Sequence, residues 1–346
     1  MYKEIIFANE RFAPVKWWPH YAYHFTDINN AVNILKTGIL YSRSRAKQLG
    51  VMYNDNASQQ VISNTSQKTT SYVRFYFRPL TPTQFYNEGY KHRELRFDGD
   101  VEANVPVPVF FFFDLEQLLS DPKTCFSERS EAGAGSPVLK GEERFSGLNF
   151  KMIYKYGPYI YQNPGDKKRE GSLRQSEILY PDSYQIDRGF IGIVCRNAVE
   201  RTTLLNLLMD RSQELFDYYQ PRIRIFNNRY IFYNNGLYVE ECSLHNNDFS
   251  ITFSDAYPRR QYAIRYSRNN KQDNLRIAVR IQFLWLDGNK ILYQKEEELS
   301  VNYLNAMPIV YNNLPEIEGA QKLSVRIYFE KHLMCYCKFL LNNAEY

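Results

Sequence analysis

Two arginines spaced four residues apart in an aromatic segment of this chain are the first candidates for chemistry. Residues 72–78 read YVRFYFR, and this run of aromatic and β-branched side chains predicts a buried strand. Because strand side chains alternate, Arg74 and Arg78 are expected on one face. Pro79 and Pro82 should end the strand, since proline lacks the N–H that a sheet needs. The pattern fits an anion site, but solvated arginines at a strand edge are the simpler interpretation from spacing alone.

A histidine and a glutamate lie in two other predicted strands. His24 and Thr26 occupy alternate positions of YAYHFT and should share one side. Glu177 lies in the apolar run RQSEILY, where a carboxylate is costly to bury unless it faces a cleft. A lone strand histidine is most often structural, and Glu177 could instead face solvent, paired with Arg174.

Residues 125–172 form a Gly-, Ser- and charge-rich excursion, which predicts an irregular segment that is either functional or mobile. Aromatic rings beside cations are the means by which proteins hold single-stranded nucleic acids. Packing of the tyrosines on one another, with solvated lysines, explains the same composition. The tyrosines and cations are Tyr154, Tyr156, Tyr159, Tyr161, Lys151, Lys155, Lys167, Lys168 and Arg169.

The elements that must position these residues are mixed helices and strands. Asp27 is a candidate N-cap for a helix that Gly38 ends, and residues 114–119 predict a second short helix. Residues 51–71 predict a polar loop, and 105–113 a buried strand. The first region, residues 1–235, is therefore expected to be an α+β domain.

Beyond residue 235 the composition favours β structure. Apolar residues alternate from Ile277 to Trp285, and Asp287-Gly288-Asn289 is a hairpin signal. We expect residues 236–346 to form a small antiparallel β-sandwich domain.

Composition excludes several classes of protein. With 346 residues, 44% of them hydrophobic, the chain can build a substantial core, and no apolar run is long enough to span a membrane. Five scattered cysteines and the lack of a secretory signal favour a reducing cytoplasm, and the spacing of cysteines and histidines predicts no metal site. The net charge is +5, and all of the excess lies before residue 236, which suits a polyanionic substrate without requiring one.

Several motifs in one order resemble a known family. YHFTDINNAVNILKTGIL, RFYFRPLTPTQFYNEG, FFFFDLEQLL, LRQSEILYP and IVCRNAVERTTLL together resemble the DarT family of bacterial DNA ADP-ribosyltransferase toxins, over roughly residues 20–210. The resemblance implies a mixed, split-sheet ADP-ribosyltransferase fold, NAD⁺ as co-substrate and no metal. It also implies site residues. Catalytic roles fall to Glu177, Arg74 and Arg78, and NAD⁺ binding to His24, Thr26, Tyr76 and Arg78.

The resemblance further implies a DNA base, in single-stranded DNA, as the acceptor, and a cognate antitoxin as a partner. The expected DNA contacts are Tyr154, Lys155, Lys167, Lys168, Arg169 and Arg174. One departure is that residues 51–71 lack the arginine that many relatives carry, so Arg74, Arg78 or Arg45 takes that role, or the site works differently. ADP-ribosylation of RNA or protein, and non-catalytic nucleic-acid binding, stay open as alternatives, as does the choice of base.

Overall fold

The computed structural model describes residues 1–53, 70–96, 104–130, 137–159, 163–226, 228–266 and 275–341, with only the backbone at 265 and 266. Most of the segment 51–71, Tyr161 and most of the predicted loop 266–274 lie outside the described residues. None of the helices within these ranges is both long and apolar enough to cross a membrane.

The helices are short, and side chains of Asp, Ser, Thr or Asn cap several of their N-termini. They are α1 (Tyr2–Ala8), α2 (Ile28–Thr37), α3 (Arg43–Gln48), α4 (Pro82–Asn87), α5 (Leu115–Ser120), α6 (Glu142–Ser146), α7 (Phe150–Ile153), α8 (Pro164–Leu173), α9 (Ala198–Met209), α10 (Gln213–Tyr219) and α11 (Ala256–Tyr266). As predicted, Asp27 caps α2, and Gly38 ends α2 with a positive φ of 68°. The short helix expected from Asp114 is also present as α5, with Asp114 as its N-cap.

The strands before residue 236 are β1 (Tyr21–Asp27), β2 (Ile39–Tyr41), β3 (Tyr72–Tyr76), β4 (Pro108–Asp114), β5 (Cys125–Ser127), β6 (Val138–Leu139), β7 (Glu177–Pro181), β8 (Ser183–Gln185), β9 (Phe190–Cys195) and β10 (Ile223–Ile225). The strands after it are β11 (Val239–His245), β12 (Asp248–Phe253), β13 (Arg276–Asp287), β14 (Lys290–Asn302), β15 (Ile309–Tyr311), β16 (Lys322–Phe329) and β17 (His332–Leu340).

An eight-stranded mixed sheet in the order β10-β9-β4-β1-β3-β7-β5-β6 organises the first region. Among the described strands of this sheet, β10 and β9 form the parallel pair, and the other pairs are antiparallel. The central apolar strand β4 pairs with all seven residues of β1, whereas β3 meets β1 at one position, Tyr23 opposite Tyr76. Away from that point β1 and β3 diverge, which splits the sheet and opens a cleft between them.

Two parts of the first region differ from the sequence expectation. Strand β3 ends at Tyr76, so Arg78 lies beyond it, in the bend that precedes α4. The excursion 125–172 is more regular than expected, because it contributes β5 and β6 to the sheet edge and forms α6, α7 and α8. Buried Phe145, Phe150 and Ile153 anchor it to the core.

The antiparallel sheets after residue 235 confirm the predicted β structure. One has the order β11-β12-β15 and the other β14-β13-β16-β17. Aromatic rings join them, with Phe249 of β12 centred 5.2 Å from Phe283 of β13. The hairpin turns at Gly288-Asn289 as predicted, with Asp287 opposite Lys290. Helix α11 between β12 and β13 is an element that the β-rich pattern did not predict.

Helix α9 of the first region joins both of these sheets at their edges. Thr203 Oγ1 accepts from Tyr336 N and Asn206 Nδ2 donates to Tyr336 O, both at 2.9 Å, on edge strand β17. Asn197 Nδ2 donates to Val239 O of edge strand β11 at 2.9 Å. These bonds satisfy backbone groups that a strand edge leaves open. One hydrophobic core runs through both regions, and the division into domains at 235/236 stays a prediction.

Candidate active site and its neighbouring cavity

The cleft between β1 and β3 contains a cavity of about 200 Å³, here called the first cavity. Strand β1, the helix α2 that follows it, strand β2 and strand β3 form its walls. Among the residues that line it are His24, Thr26, Tyr41, Arg43, Arg74, Tyr76, Thr83 and Gln175. Three of the predicted NAD⁺-binding residues, His24, Thr26 and Tyr76, therefore meet here, together with Arg74.

His24 reaches across the split in the sheet. Its Nδ1 lies 3.0 Å from the carbonyl oxygen of Arg74, and a carbonyl only accepts, so Nδ1 carries the proton. Burial lowers the pKa of His24 to about 4, and the bond to Arg74 only partly offsets this effect. At neutral pH the ring is therefore uncharged, and its Nε2 is an acceptor.

Glu177 and Arg74 face each other across β7 and β3. Glu177 is the first residue of β7, lies opposite Tyr76, and is fully buried. Its Oε2 is 3.6 Å from Nε of Arg74, and its backbone N–H donates to Ser127 Oγ at 3.3 Å. The expected alternative, a solvent-facing glutamate paired with Arg174, is not what the structure contains.

Tyr76 and Thr26 supply hydroxyl groups at the same place. Burial first, and then the charge of Glu177, raise the pKa of Tyr76 far above its usual value, so its phenol stays protonated. Thr26 is almost fully buried and lies along β1 with His24. The first cavity thus brings together an acceptor nitrogen, neutral hydroxyls and the cation Arg74, which faces the buried carboxylate of Glu177 behind the lining residues.

Arg78 does not share this site, and the prediction that it lies on one face with Arg74 is wrong. Because β3 ends at Tyr76, Arg78 turns into the core, where only 2% of its surface is exposed. Its guanidinium lies 4.5 Å above the ring of Trp18 and donates to the carbonyls of Pro79, Ile153 and Lys155. Burial lowers its pKa to about 10, so it remains charged. Arg78 thereby fastens the excursion 125–172 to the end of β3.

A larger cavity of about 1240 Å³, here called the second cavity, lies on the other side of α4. Arg78 is one of the residues that line this second cavity. Its other cations are Lys167, Lys168, Arg174 and Arg229, and its aromatic residues are Phe85, Tyr86, Tyr156, Tyr159, Phe232 and Tyr233. Lys167 and Lys168 are exposed on α8, whereas Arg174 is nearly buried, with its guanidinium 4.3 Å above Tyr159.

Three of the predicted DNA contacts are placed differently from expectation. Tyr154 is 1% exposed and stacks on Phe150 in the core, so it cannot stack on a base. Lys155 and Arg174 both pair with the buried carboxylate of Glu170, so part of their charge serves the fold. The apolar neighbours of Tyr154 in sequence carry the signal that the prediction missed.

The remaining predicted contacts lie on α8. Arg169 is exposed there, but it is not among the residues that line either described cavity. Of the predicted cations on α8, Lys167 and Lys168 thus line the second cavity, together with the buried Arg174 that follows the helix.

A thin wall separates the two cavities. On α4, Thr83 lines the first cavity and its neighbour Pro82 lines the second cavity. In the same way, Gln175 lines the first cavity and its neighbour Arg174 lines the second cavity. The wall is closed by a hydrogen bond from Thr83 N to Gln175 Oε1 at 3.1 Å. Glu177 follows Gln175 by two residues, so the carboxylate lies beside this wall.

Arg43 is a lining residue that sequence reasoning missed. It is the first residue of α3, whose N-cap Ser42 accepts from Arg45 N. Arg45, one of the expected replacements for the family's loop arginine, is instead bonded to Gln48 at the surface. The Ser42 cap in YSRSRAK, directly after the short strand ILY, could have indicated a helix start with Arg43 at the cleft.

Comparisons with known proteins identify a family for this chain. The family model described as DarT, ssDNA thymidine ADP-ribosyltransferase, matches residues 23–230. A comparison with curated proteins finds no match.

Similar solved structures include DarT of Thermus sp. 2.9 in complex with ADP-ribosylated ssDNA, at 17% identity and a TM-score of 0.45, covering 60% of this chain and 95% of that one. The same protein in complex with NAD⁺ matches at 16% identity and a TM-score of 0.43, covering 60% and 96%. DarTG of Thermosipho africanus in complex with ADP-ribose matches at 13% identity and a TM-score of 0.40, covering 56% and 48%. Because the family model spans more than half of the sequence, this chain belongs to the DarT family of ADP-ribosyltransferases.

Proposed function

We propose that this protein transfers ADP-ribose from NAD⁺ to thymidine in single-stranded DNA. Membership of a family described as ssDNA thymidine ADP-ribosyltransferases supports the reaction class. The observation that carries the proposal is the linked set His24–Arg74–Glu177 in the split sheet, directly beside a cationic, aromatic cavity.

The first cavity holds NAD⁺, and its residues fit the chemistry of a dinucleotide. Arg43 and Arg74 supply two guanidinium groups, which suit a pyrophosphate. The acceptor Nε2 of His24 suits a ribose hydroxyl, which donates to it. The ring of Tyr76 offers an apolar face to nicotinamide. The residues present therefore match the phosphate, sugar and base parts of the substrate.

Glu177 is the catalytic carboxylate. The transfer breaks the bond between nicotinamide and C1 of the ribose, whose electron pair leaves with nicotinamide, and forms a bond from C1 to a nitrogen of the base. Thymine in a nucleoside has one ring N–H, at N3, and its proton must be removed as the new bond forms. Glu177 accepts that proton, and its charge stabilises the positive charge that develops at C1. Arg74, 3.6 Å from the carboxylate, orients it.

The second cavity holds the DNA strand. Lys167 and Lys168 neutralise phosphates, and Tyr156 and Tyr159 stack on bases, which is how single strands are bound without full sequence readout. A base inserted past the Thr83–Gln175 wall enters the first cavity beside Glu177. Duplex DNA is a poorer substrate, because a base must leave the stack first, at a cost of roughly a few kcal/mol.

In the cell, this activity makes the protein the toxin of a toxin–antitoxin or phage-defence system. Modification of a base on its pairing edge blocks replication, so a host needs a cognate antitoxin that neutralises the enzyme or removes the ADP-ribose. The cytoplasm, where NAD⁺ and single-stranded DNA occur together, is the expected location.

The decisive experiment incubates the full chain with NAD⁺ and an oligonucleotide that contains one thymidine. We expect a mass gain of one ADP-ribose on this oligonucleotide. The matched control carries 3-methylthymidine at that position, lacks the ring N–H, and should stay unmodified. Oligonucleotides with dA, dC or dG at the same position test the choice of base.

Other outcomes separate the alternatives. A mass gain on RNA or on a protein, with none on DNA, would assign the same chemistry to a different acceptor. Binding of the oligonucleotide without any modification would indicate a non-catalytic relative.

A further inference from the structure

Three cysteine thiols meet in the C-terminal region, away from both cavities. Cys242 lies on β11, and Cys335 and Cys337 lie on β17. Their sulfur atoms all lie within 4.8 Å of one another, and the Cys335 and Cys337 sulfurs are 3.5 Å apart. All three cysteines are free thiols. In the described part of the chain, these three cysteines form the one group of at least three metal-ligating side chains whose ligand atoms lie close enough to share an ion.

The fold, and not sequence proximity, creates this cluster. Cys335 and Cys337 are two residues apart on one strand, so they share a face, opposite Ile327 and Val325 of β16. Tyr336 between them points the other way, and its hydroxyl donates to Asp210 at 2.9 Å. The third thiol arrives from the other sheet, more than ninety residues earlier in the chain.

The spacing of the sulfurs fits a metal better than a disulfide. With Zn–S bonds of about 2.3 Å, two thiolates of a tetrahedral site are about 3.8 Å apart, and the observed separations bracket that value. Cα atoms two residues apart on a strand are separated by roughly 6.6 Å, near the upper limit for a disulfide. A disulfide would also leave one thiol unused.

The surroundings select the class of ion. Cys335 is fully buried and Cys337 nearly so, among apolar side chains, and Cys242 is half-buried. Three sulfur ligands without oxygen ligands favour thiophilic ions over Mg²⁺ or Ca²⁺.

We propose that Cys242, Cys335 and Cys337 bind one thiophilic d¹⁰ metal ion, of which Zn²⁺ is the representative. On binding, three S–H bonds break, three S–metal bonds form, and the three protons pass to solvent. The ion ties β11 to β17, the same two edge strands that α9 holds through Asn197, Thr203 and Asn206. It therefore braces the junction between the C-terminal sheets and the region of the two cavities.

The test titrates the reduced, full-length protein with Cd²⁺, whose thiolate complexes absorb in the ultraviolet. We expect saturation at one equivalent, displacement by Zn²⁺ from a metal buffer, and a higher unfolding temperature with metal than with chelator. Cys242→Ala, Cys335→Ala and Cys337→Ala should each weaken binding at least tenfold. Cys125→Ala and Cys195→Ala, which change buried cysteines outside the cluster, are the matched controls and should bind as the wild type does.

Two results would overturn the proposal. One is a folded wild-type protein that shows no thiolate–Cd²⁺ absorption at a free Cd²⁺ concentration of micromolar order, which decides the matter even if the variants fail to fold. The other is wild-type affinity in a folded Cys337→Ala or Cys242→Ala protein, which would place the ion elsewhere.

Discussion

Arg74 and Arg78 stand four residues apart, yet they belong to two cavities that differ in what their charges do. In the first cavity, Arg74 is partly exposed and faces the carboxylate of Glu177. In the second, Arg78 is almost fully buried and donates to three backbone carbonyls. The first arginine can respond to a substrate, whereas the second holds a loop in place. Residue type and spacing therefore do not decide the role of an arginine here; the position where the strand ends does.

Two buried glutamates differ in the same way, because one is near the proposed reaction centre and the other holds part of the fold together. Glu177 pairs with Arg74 at the edge of the first cavity, and Glu170 pairs with Lys155 and Arg174 beneath the second. If the first cavity is the reaction centre, replacing Glu177 should act on catalysis, and replacing Glu170 should act on stability.

The largest effect is expected from Glu177→Gln. Loss of the carboxylate removes the proton acceptor and the charge that stabilises the transition state, so the rate of transfer should fall about a thousandfold or more. NAD⁺ should still bind, because the cavity keeps its shape. Single-turnover transfer to labelled single-stranded DNA measures the rate, and isothermal titration measures NAD⁺ binding.

Glu170→Gln is the matched control for this experiment. It should lower the unfolding temperature, because Lys155 and Arg174 lose a buried partner, while leaving transfer by the folded fraction within a few-fold. Near-normal transfer by a folded Glu177→Gln protein would remove Glu177 from the catalytic role.

The next largest effect should separate the two arginines. Arg78→Met leaves three carbonyls without their donor and should lower the free energy of unfolding by about 2–4 kcal/mol. Arg74→Lys, which keeps a cation opposite the buried carboxylate of Glu177, should change stability less and transfer more, since it loses the guanidinium that orients the catalytic carboxylate. Urea unfolding and transfer kinetics on both variants give the comparison; a stability loss of equal size in both would contradict the division of roles.

A smaller effect is expected within the first cavity from His24→Ala. The contacts of His24 with a ribose hydroxyl are similar in the ground and transition states, so KM for NAD⁺ should rise roughly thirtyfold with little change in kcat. Arg43→Ala should behave in the same way if it contacts the pyrophosphate. A fall in kcat with an unchanged KM would return His24 to a structural role.

How far the sequence could predict this molecule is clear from particular elements. The N-cap at Asp27, the αL end at Gly38 and the alternation from Ile277 to Trp285 depend on local chemistry, and all were confirmed. The end of β3 was placed two residues too late, because the aromatic run continues to Phe77 while the sheet does not.

What the sequence could not supply is long-range contact. Arg43 enters the first cavity only because α3 packs beside the cleft, and Cys242 meets Cys335 only through the packing of two sheets. Tyr154 is a different case, because its apolar neighbours Phe150 and Ile153 indicated burial and the prediction followed its cationic neighbours instead. Spacing along the chain carries no information about the packing that brings Cys242 to Cys335 or α3 to the cleft.

The second cavity is tested by its exposed lysines. Single-strand binding should weaken as salt rises, with a slope of about −0.7 per phosphate neutralised, so Lys167→Ala with Lys168→Ala should flatten the slope by about 1.4 and reduce affinity roughly tenfold. KM for NAD⁺ should not change. Arg169→Ala on the same helix is the matched control, because it lines neither described cavity. An unchanged slope in the double variant would place the DNA outside the second cavity.

The smallest effect concerns two groups of β1 whose pKa shifts have opposite consequences. Burial lowers the pKa of His24 to about 4 and raises that of Asp27 to about 6. Between pH 6.5 and 4 the unfolded chain binds a proton at His24 that the folded protein refuses, so this group costs stability as the pH falls. Between pH 6 and 3.8 the folded protein binds a proton at Asp27 more readily than the unfolded chain does, so this group adds stability as the pH falls. Acidification from pH 7 to 5 should therefore destabilise His24→Gln less than the wild type, and Asp27→Asn, which keeps the helix cap, more than the wild type, by roughly 1 kcal/mol each. Urea unfolding at the two pH values measures both, and shifts of the same sign in the two variants would show that β1 does not bury these groups as described.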